Sequence, residues 1–507
     1  MSTLPPEPSH DAGQTEPIDL NAVRIDPRWA LKLPASLALR KRLLPLAKLD
    51  GRLHVACVDP DDTSTLASLA RFFEDEIVPV RAEPESLRRA LTRIFGGMSL
   101  ANAADAGSPR NRSRDARVTE DDAVAICDEL LQAALLRGAS DVHLDPGERG
   151  VRVRFRVDGV LESYRELGSE TYAGVSSRFK VLAELDIAER RSPQDGRFSA
   201  RIGPEQVQVD IRVATLPIRH GERMTLRLLA AHSDKVTLAG LGMSPRHREL
   251  FEHALQLPYG LVLLTGPTGS GKSTTLFAAL NLLLQTRGGN VLTIEDPVEY
   301  EIPGTAQIEV DSADKVSFHK ALRSILRHDP DVVMIGEIRD AQTADIAMKA
   351  ALTGHLVFST LHTNTAAGVL TRLLDMGLQR YLVAATLRLA VAQRLVRRLC
   401  QHCRVEHRLS AREAISLGDP ALEGQTVYEP GGCLYCAGRG FTGRMALFEM
   451  LPLDEEFSRA VAEGADEAAL MQRMRAQGLE VLSDDARGKL LEGLTTRTEI
   501  LSATTVW

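Results

Sequence analysis

Gly266, Pro267, Thr268, Gly269, Ser270, Gly271, Lys272, Ser273 and Thr274 run consecutively and satisfy the pattern G-x-x-x-x-G-K-[ST]. The chemistry of that pattern is phosphate binding. Small residues let the backbone wrap an anion, a following helix aims its first N–H groups at it, and Lys272 brings a mobile positive charge. Ser273 is placed to ligate the magnesium ion that accompanies a nucleoside triphosphate such as ATP. A second reactive set, Cys400, Cys403, Cys433 and Cys436, forms two C-x-x-C pairs with 29 residues between them. Four thiolates so paired suit tetrahedral zinc in a structural site with every position taken by protein. A redox role would explain one such pair but not two in one subdomain.

Three further segments carry groups that nucleotide hydrolysis needs. "TIEDPVE" supplies Glu295, Asp296 and Glu299, and "DPDVVMIGEIRD", a Walker B element, ends in Gly336 and Glu337. "GHLVFSTLHTN" ends in Thr360, His362 and Asn364. Hydrolysis requires a magnesium anchor, a carboxylate that positions the attacking water and a polar sensor of the γ-phosphate. Walker B, the acidic box and His362 fill those roles in turn.

The elements that must position these residues are legible around them. "GLVLLT" reads as a buried strand before the glycine loop and "STTLFAALNLLL" as a helix after it. From about Leu238 onward, "GLVLLT", "NVLTIED", "DVVMIGE" and "GHLVFSTLH" alternate with helical segments. That alternation predicts a parallel sheet with helices on both faces, whose ligands bind at the carboxyl ends of the strands. An α+β domain starts at about Val118. There "VRVRFRVDGVLESY" predicts a hairpin turning at Asp158-Gly159, and "VQVDIRVATL" alternates likewise. Between them, "SSRFKVLAELDIAERRSPQDGRF" is expected to be a helix that breaks into a loop at Pro193. The first segment holds short strands such as "RLHVACV" and ends in the helix "EPESLRRALTRIFGG". Residues 99–118 are polar, lack periodicity and carry four arginines, so they read as a flexible linker. Those arginines are taken as solvated, with anionic phospholipid headgroups as the alternative contact. Cys57 and Cys127 lie on apolar segments and are expected in the core.

At 507 residues the chain should hold two to four domains. Apolar residues make up 44% and charged residues 25%, as in globular proteins. No apolar run is long enough to span a bilayer, and the first residues do not form a signal peptide. These features predict a cytoplasmic protein, with peripheral attachment to a membrane left open. A net charge of −7 argues against nucleic acid as the main partner.

Taken together, "GPTGSGKSTT", "TIEDPVEY", "DPDVVMIGEIRD" and "GHLVFSTLHTN" resemble the Walker A, Asp box, Walker B and His box of the type II secretion / type IV pilus assembly ATPases. "GASDVHLDP", "DGVL", "LDIAERRSPQDGRF" and "VDIRVATLPIRHGERMTLRLL" extend the match from residue 118 to about 451. The resemblance implies an α/β fold with a RecA-like P-loop ATPase core over 237–507 and a tetracysteine zinc insertion at about 396–440. An α+β (PAS-like) domain over 118–236 would cover the nucleotide, after a linker at 98–117 and a small N-terminal α/β docking domain at 1–97.

The activity implied is ATP hydrolysis with Mg2+ by a homohexamer whose sites lie between the two large domains. It would drive pseudopilus assembly and protein export across the outer membrane. Type IV pilus assembly is the sibling alternative. A nucleic-acid translocase is opposed by the acidic balance, and a non-enzymatic nucleotide-binding scaffold by the intact Lys272, acidic box and Glu337. Arg212 and Arg227 match arginines that the family brings to the phosphates. Arg323, Arg327, Arg339 and Arg444 resemble further functional arginines, some at subunit contacts, with surface ion pairing as the alternative. Glu299 is preferred for the water and Glu337 for the magnesium side, although the sequence does not separate these roles. The secretion ATPases are similar in carrying a tetracysteine zinc insertion, which the pilus retraction motors lack. The first segment shows no "RLG…G…Q" pattern of the kind that binds cyclic dinucleotides in some pilus-type relatives. Its implied partner is the cytoplasmic part of an inner-membrane platform protein, general secretion pathway protein L, together with other platform components. The motor would then sit peripherally at the inner membrane.

Overall fold

The computed structural model describes residues 16–96, 120–230, 237–310 and 318–504, so the predicted linker at 98–117 lies outside the described residues. Two compact units divide the chain. The first holds residues 1–231 with 402–404 and 431–440, and the second holds 232–401, 405–430 and 441–507.

In the first unit, β1 (Leu44–Leu49) and β2 (Arg52–Cys57) form an antiparallel hairpin, and β3 (Ile77–Arg81) adds parallel to β2. Leu44, Leu46, Leu53 and Val55 pack there with Leu87, Leu91 and Ile94 of the helix Pro84–Phe95. A larger sheet follows, built from β4 (Ala139–Gly147), β5 (Gly150–Val157), β6 (Val160–Leu167), β7 (Gln194–Ile202), β8 (Val207–Ile218) and β9 (Gly221–Ala230). Its order is β6-β5-β4-β9-β8-β7, antiparallel at every described pairing. Alternation decides its faces: Val209, Ile211 and Val213 of β8 are buried with Val175 and Phe179 of the helix Ser169–Leu182. The β5–β6 hairpin turns at Asp158 (φ 50°) and Gly159 (φ 87°), the left-handed pair that a two-residue turn requires.

One expectation fails here. The helix stops at Leu182 and not at Pro193. Glu184 takes a left-handed φ of 58°, and the following segment folds back on the helix end. Lys180 Nζ donates to the Glu189 carbonyl at 2.6 Å, while the Gln194 amide donates to the carbonyls of Asp186 and Glu189. Pro193 merely precedes β7, so the proline marked the end of a loop and not the end of a helix.

Cys57 and Cys127 are buried as expected, and burial pushes their thiols up to about 11 and about 12. Residues 431–440 group with this unit because Leu434 and Tyr435 pack on the core around β1 and β2. Buried Arg137 bridges Asp26 and Glu162, both at 2.6 Å, and Arg439 lies 3.7–3.8 Å from Glu162 and Asp158.

The second unit contains β10 (Gly260–Thr265), β11 (Val291–Glu295), β12 (Ala306–Glu309), β13 (Val332–Ile335), β14 (Leu356–Leu361), β15 (Leu387–Leu399), the small pair β16 (Val405–Arg408) and β17 (Thr426–Glu429), and β18 (Phe441–Pro452). The main sheet runs β12-β11-β13-β14-β10-β15-β18, parallel except for the antiparallel β15–β18 edge. Leu261 and Leu263 of β10 enter one core layer, while Val262 and Leu264 enter the other. Two-sided burial explains why this strand reads as a continuous apolar run. The cysteine-bearing insertion leaves the sheet after β15 and returns at β18.

Candidate active site

The glycine loop leaves the carboxyl end of β10 and enters the helix Lys272–Thr286. A Cβ on Gly266 would come within 2.5 Å of the Gln393 carbonyl, and one on Gly271 within 2.8 Å of Gln393 Nε2. Both glycines also hold positive φ, 148° and 88°, so the loop tolerates no side chain there. Lys272 Nζ donates to the carbonyls of Gly266 at 2.8 Å and Pro267 at 3.2 Å. Burial first, and then the Arg394 charge, pushes the Lys272 ammonium down to about 8, with Glu299 acting the other way. The Ser270 hydroxyl is buried without a hydrogen-bond partner, and Ser273 is exposed at the second helical position. An orphaned donor, a lysine and a close-fitting glycine backbone suit an anion, so the residues fit a nucleotide phosphate.

The acidic box follows β11. Glu295 is half-buried, and burial pushes its carboxyl up against the bonds it accepts from the Gln307 amide (3.0 Å), the Thr293 hydroxyl (2.7 Å) and the Glu299 N–H. It therefore braces this loop. Asp296, before the cis bond to Pro297, is exposed and lies 3.6 Å from Arg339 Nη1. Glu299 is also exposed.

Past β13, the Gly336 N–H donates to the Ile294 carbonyl at 2.7 Å, and the Thr360 hydroxyl donates to the Gly336 carbonyl at 2.8 Å. These bonds align the ends of β11, β13 and β14. Glu337 pairs with Arg339 and faces His362 Nε2 at 3.3 Å. Burial, helped by the charges of Lys272 and Arg339, holds the His362 imidazole below its usual range. The structure therefore brings the Walker B glutamate against the His-box histidine, beside the glycine loop.

Arg212 and Arg227 belong to the first unit, where they are register partners on β8 and β9. Arg227 also donates to Asp141 at 2.9 Å. Arg323 and Arg327 are exposed on and just after the helix Phe318–Ile325, and exposed Arg444 is the register partner of Arg397. Sequence reasoning missed Gln393 and Arg394 on β15. Gln393 is 1% exposed and accepts from the Thr275 hydroxyl at 2.9 Å. A glutamine inside an apolar strand run was the available signal.

The four cysteine Sγ atoms lie within 4.8 Å of one another, with Cys403–Cys436 and Cys433–Cys436 both at 3.8 Å. Zinc–sulfur bonds of about 2.3 Å give a tetrahedral edge of about 3.8 Å, so the group fits a metal ion of that kind. Burial opposes ionisation of Cys436, but N–H bonds from Cys433 and Gly440 and the neighbouring thiols hold its pKa below the ordinary value. A second cluster, His247, Glu480 and Asp485, already contains its cation, because Lys489 Nζ sits 2.6 Å from Asp485.

A family model described as type II/IV secretion system protein matches residues 118–502, and an MshEN domain model matches residues 14–99. The type II secretion system protein E of Pseudomonas aeruginosa is 41% identical over 96% of this chain and 98% of its own length. The type IV pilus assembly ATPase PilB of Thermus thermophilus is 38% identical over 94% of this chain but 55% of its own. Among solved structures, the pilus retraction motor PilT with bound ADP matches with a TM-score of 0.52 at 27% identity, covering 75% of this chain and 97% of PilT.

Proposed function

The chain belongs to the type II/IV secretion system protein family, and we propose that it is the ATP-hydrolysing motor of a type II secretion system, powering pseudopilus assembly and so protein export across the outer membrane. The observation that carries the reading is the meeting of Glu337 and His362 beside the Lys272 loop. Such a constellation suits a triphosphate and the magnesium ion that accompanies it. Type IV pilus assembly is the second reading, favoured by the identity to PilB; the chain spans nearly all of the secretion relative but about half of PilB.

In this reading the glycine loop and Lys272 take up the phosphates. Magnesium bound with the nucleotide neutralises charge that develops on the transferred group. Ser273 and Glu337 stand on the metal side, Glu299 orients the water, and His362, kept neutral, offers an uncharged contact to the γ-phosphate. Glu295 and Asp296 hold the loop that carries Glu299. Arg212 and Arg227 are assigned a share in phosphate neutralisation on the sequence match alone.

The cysteine quartet is assigned zinc. The domains are drawn at 1–97, 118–236 and 237–507, with a linker between the first two. A homohexamer is the expected assembly. Among the described residues no helix is long and apolar enough to cross a membrane, so attachment to the inner membrane is assigned to docking of the N-terminal domain on general secretion pathway protein L. The direct test is steady-state ATP turnover by the purified chain. Wild type should release phosphate and Lys272→Ala should not; equal rates would remove the loop from the chemistry.

A further inference from the structure

β15 runs beside the P-loop strand β10, in parallel register from Leu261 to Thr265. Its residues Gln393 and Arg394 lie where β10 gives way to the glycine loop. A Cβ on Gly266 would meet Arg394 Nη1 at 3.0 Å, so the guanidinium already abuts the first glycine of the loop. Nη1 donates to the Gln393 carbonyl at 3.0 Å, and Nη2 donates to both the carbonyl (3.0 Å) and the side-chain Oδ1 (3.1 Å) of Asn364. One planar group thus grips the backbone and side chain of a His-box residue while resting on the phosphate loop.

The rest of the His-box segment is fastened in the same region. The Thr363 N–H donates to the Thr265 hydroxyl at 2.6 Å, the Ala366 N–H to Glu449 at 2.7 Å, and the Thr365 hydroxyl to Glu467 at 2.5 Å. Glu449 is 2% exposed, and its charge interacts with that of Arg394. Asn364 is exposed, as is His362, so without Arg394 the tip of the segment would be held only from its flanks.

We propose that Arg394 is a positioning residue of the hydrolysis site, clamping the His-box segment, and with it His362, to the first glycine of the phosphate loop. The inference rests on the nucleotide-motor reading. Arginine suits the task because its fork presents several fixed donors in one plane, whereas a lysine ammonium is a point charge on a flexible stem. Displacement of a catalytic contact by about 1 Å can cost roughly a hundredfold in rate, so a lost clamp should register in turnover before it registers in binding.

The test uses the full chain with Arg394→Ala and Arg394→Lys. Three quantities are read: kcat for ATP, the dissociation constant of a non-hydrolysable ATP analogue, and amide hydrogen exchange at residues 362–366 without nucleotide. Both variants should lower kcat at least ~tenfold, keep analogue affinity within ~threefold, and speed exchange at 362–366 but not in the core of β10. Wild-type kcat in Arg394→Ala, or unchanged exchange at 362–366, would overturn the clamp. Loss of analogue affinity in step with kcat, restored by Arg394→Lys, would make Arg394 a direct phosphate ligand and overturn it too. A wild-type chain that binds the analogue without turnover would fell the motor reading instead, and the exchange data would still decide the clamp.

Discussion

Raising the pH from 7 to 9 should weaken nucleotide binding, and the cause is a single lysine. Lys272 is 8% exposed, with Arg394 as the adverse charge and Glu299 as the favourable one. Burial and Arg394 push the ammonium down to about 8. The charged form that attracts phosphate is therefore complete well below that value and is lost as pH rises through it. A group titrating there is about 90% charged at pH 7 and about 10% charged at pH 9, a tenfold loss worth about 1.4 kcal/mol of binding. An ordinary lysine, near 10.4, would leave affinity almost flat over that window. The assay is the dissociation constant of a non-hydrolysable ATP analogue with magnesium, measured at fixed ionic strength from pH 6.5 to 9.5. Lys272→Arg carries a charge that does not titrate in this range, so its profile should lose the fall. Glu299→Gln removes the favourable neighbour and should move the midpoint to lower pH. A flat wild-type profile, or the same fall in Lys272→Arg, would refute the reasoning.

Three other expectations concern separate parts of the molecule. Glu299→Gln should bind ATP without turning it over; wild-type rates there with a dead Glu337→Gln would reverse the two assignments. Purified chain kept reduced should hold one zinc, and because zinc binding in small domains is worth roughly 10–16 kcal/mol, Cys436→Ser should speed hydrogen exchange across the insertion while the P-loop stays protected. Metal analysis without zinc would remove that assignment. Deleting residues 1–97 should spare weak soluble ATPase activity and abolish recruitment to membranes carrying the platform protein; a truncated chain that still reaches those membranes would place the contact elsewhere.

The core of the second unit was legible because two-sided burial leaves so little freedom. Leu261 to Leu264 feed both core layers, and every strand end that carried a reactive group proved to be a strand end in the fold. The Asp158-Gly159 turn was equally clear, since few dipeptides suit two left-handed residues in a row. What stayed hidden depends on contacts between distant residues. Glu295 is a brace because Gln307 and Thr293 reach it, which spacing does not encode. Arg394 lies in the arginine-rich "QRLVRRL" and reads as one solvated charge among several until Asn364 is seen beneath it. The early end of the helix at Leu182 follows from Lys180 reaching the Glu189 carbonyl, while the sequence offered a proline further on as the more conspicuous breaker. The grouping of residues 431–440 with the first unit reflects Leu434 and Tyr435 finding an apolar core remote in sequence.

The most direct measurement of the central claim is secretion itself. Cells deleted for this chain would be supplied with the wild type or with Lys272→Ala, and outer-membrane export of a type II substrate followed alongside pilus extension. The account predicts that wild type restores export and that Lys272→Ala, expressed at the same level, does not. Export restored by Lys272→Ala would contradict a role for ATP hydrolysis at this loop, and pilus extension restored without export would show that the motor serves pilus assembly instead.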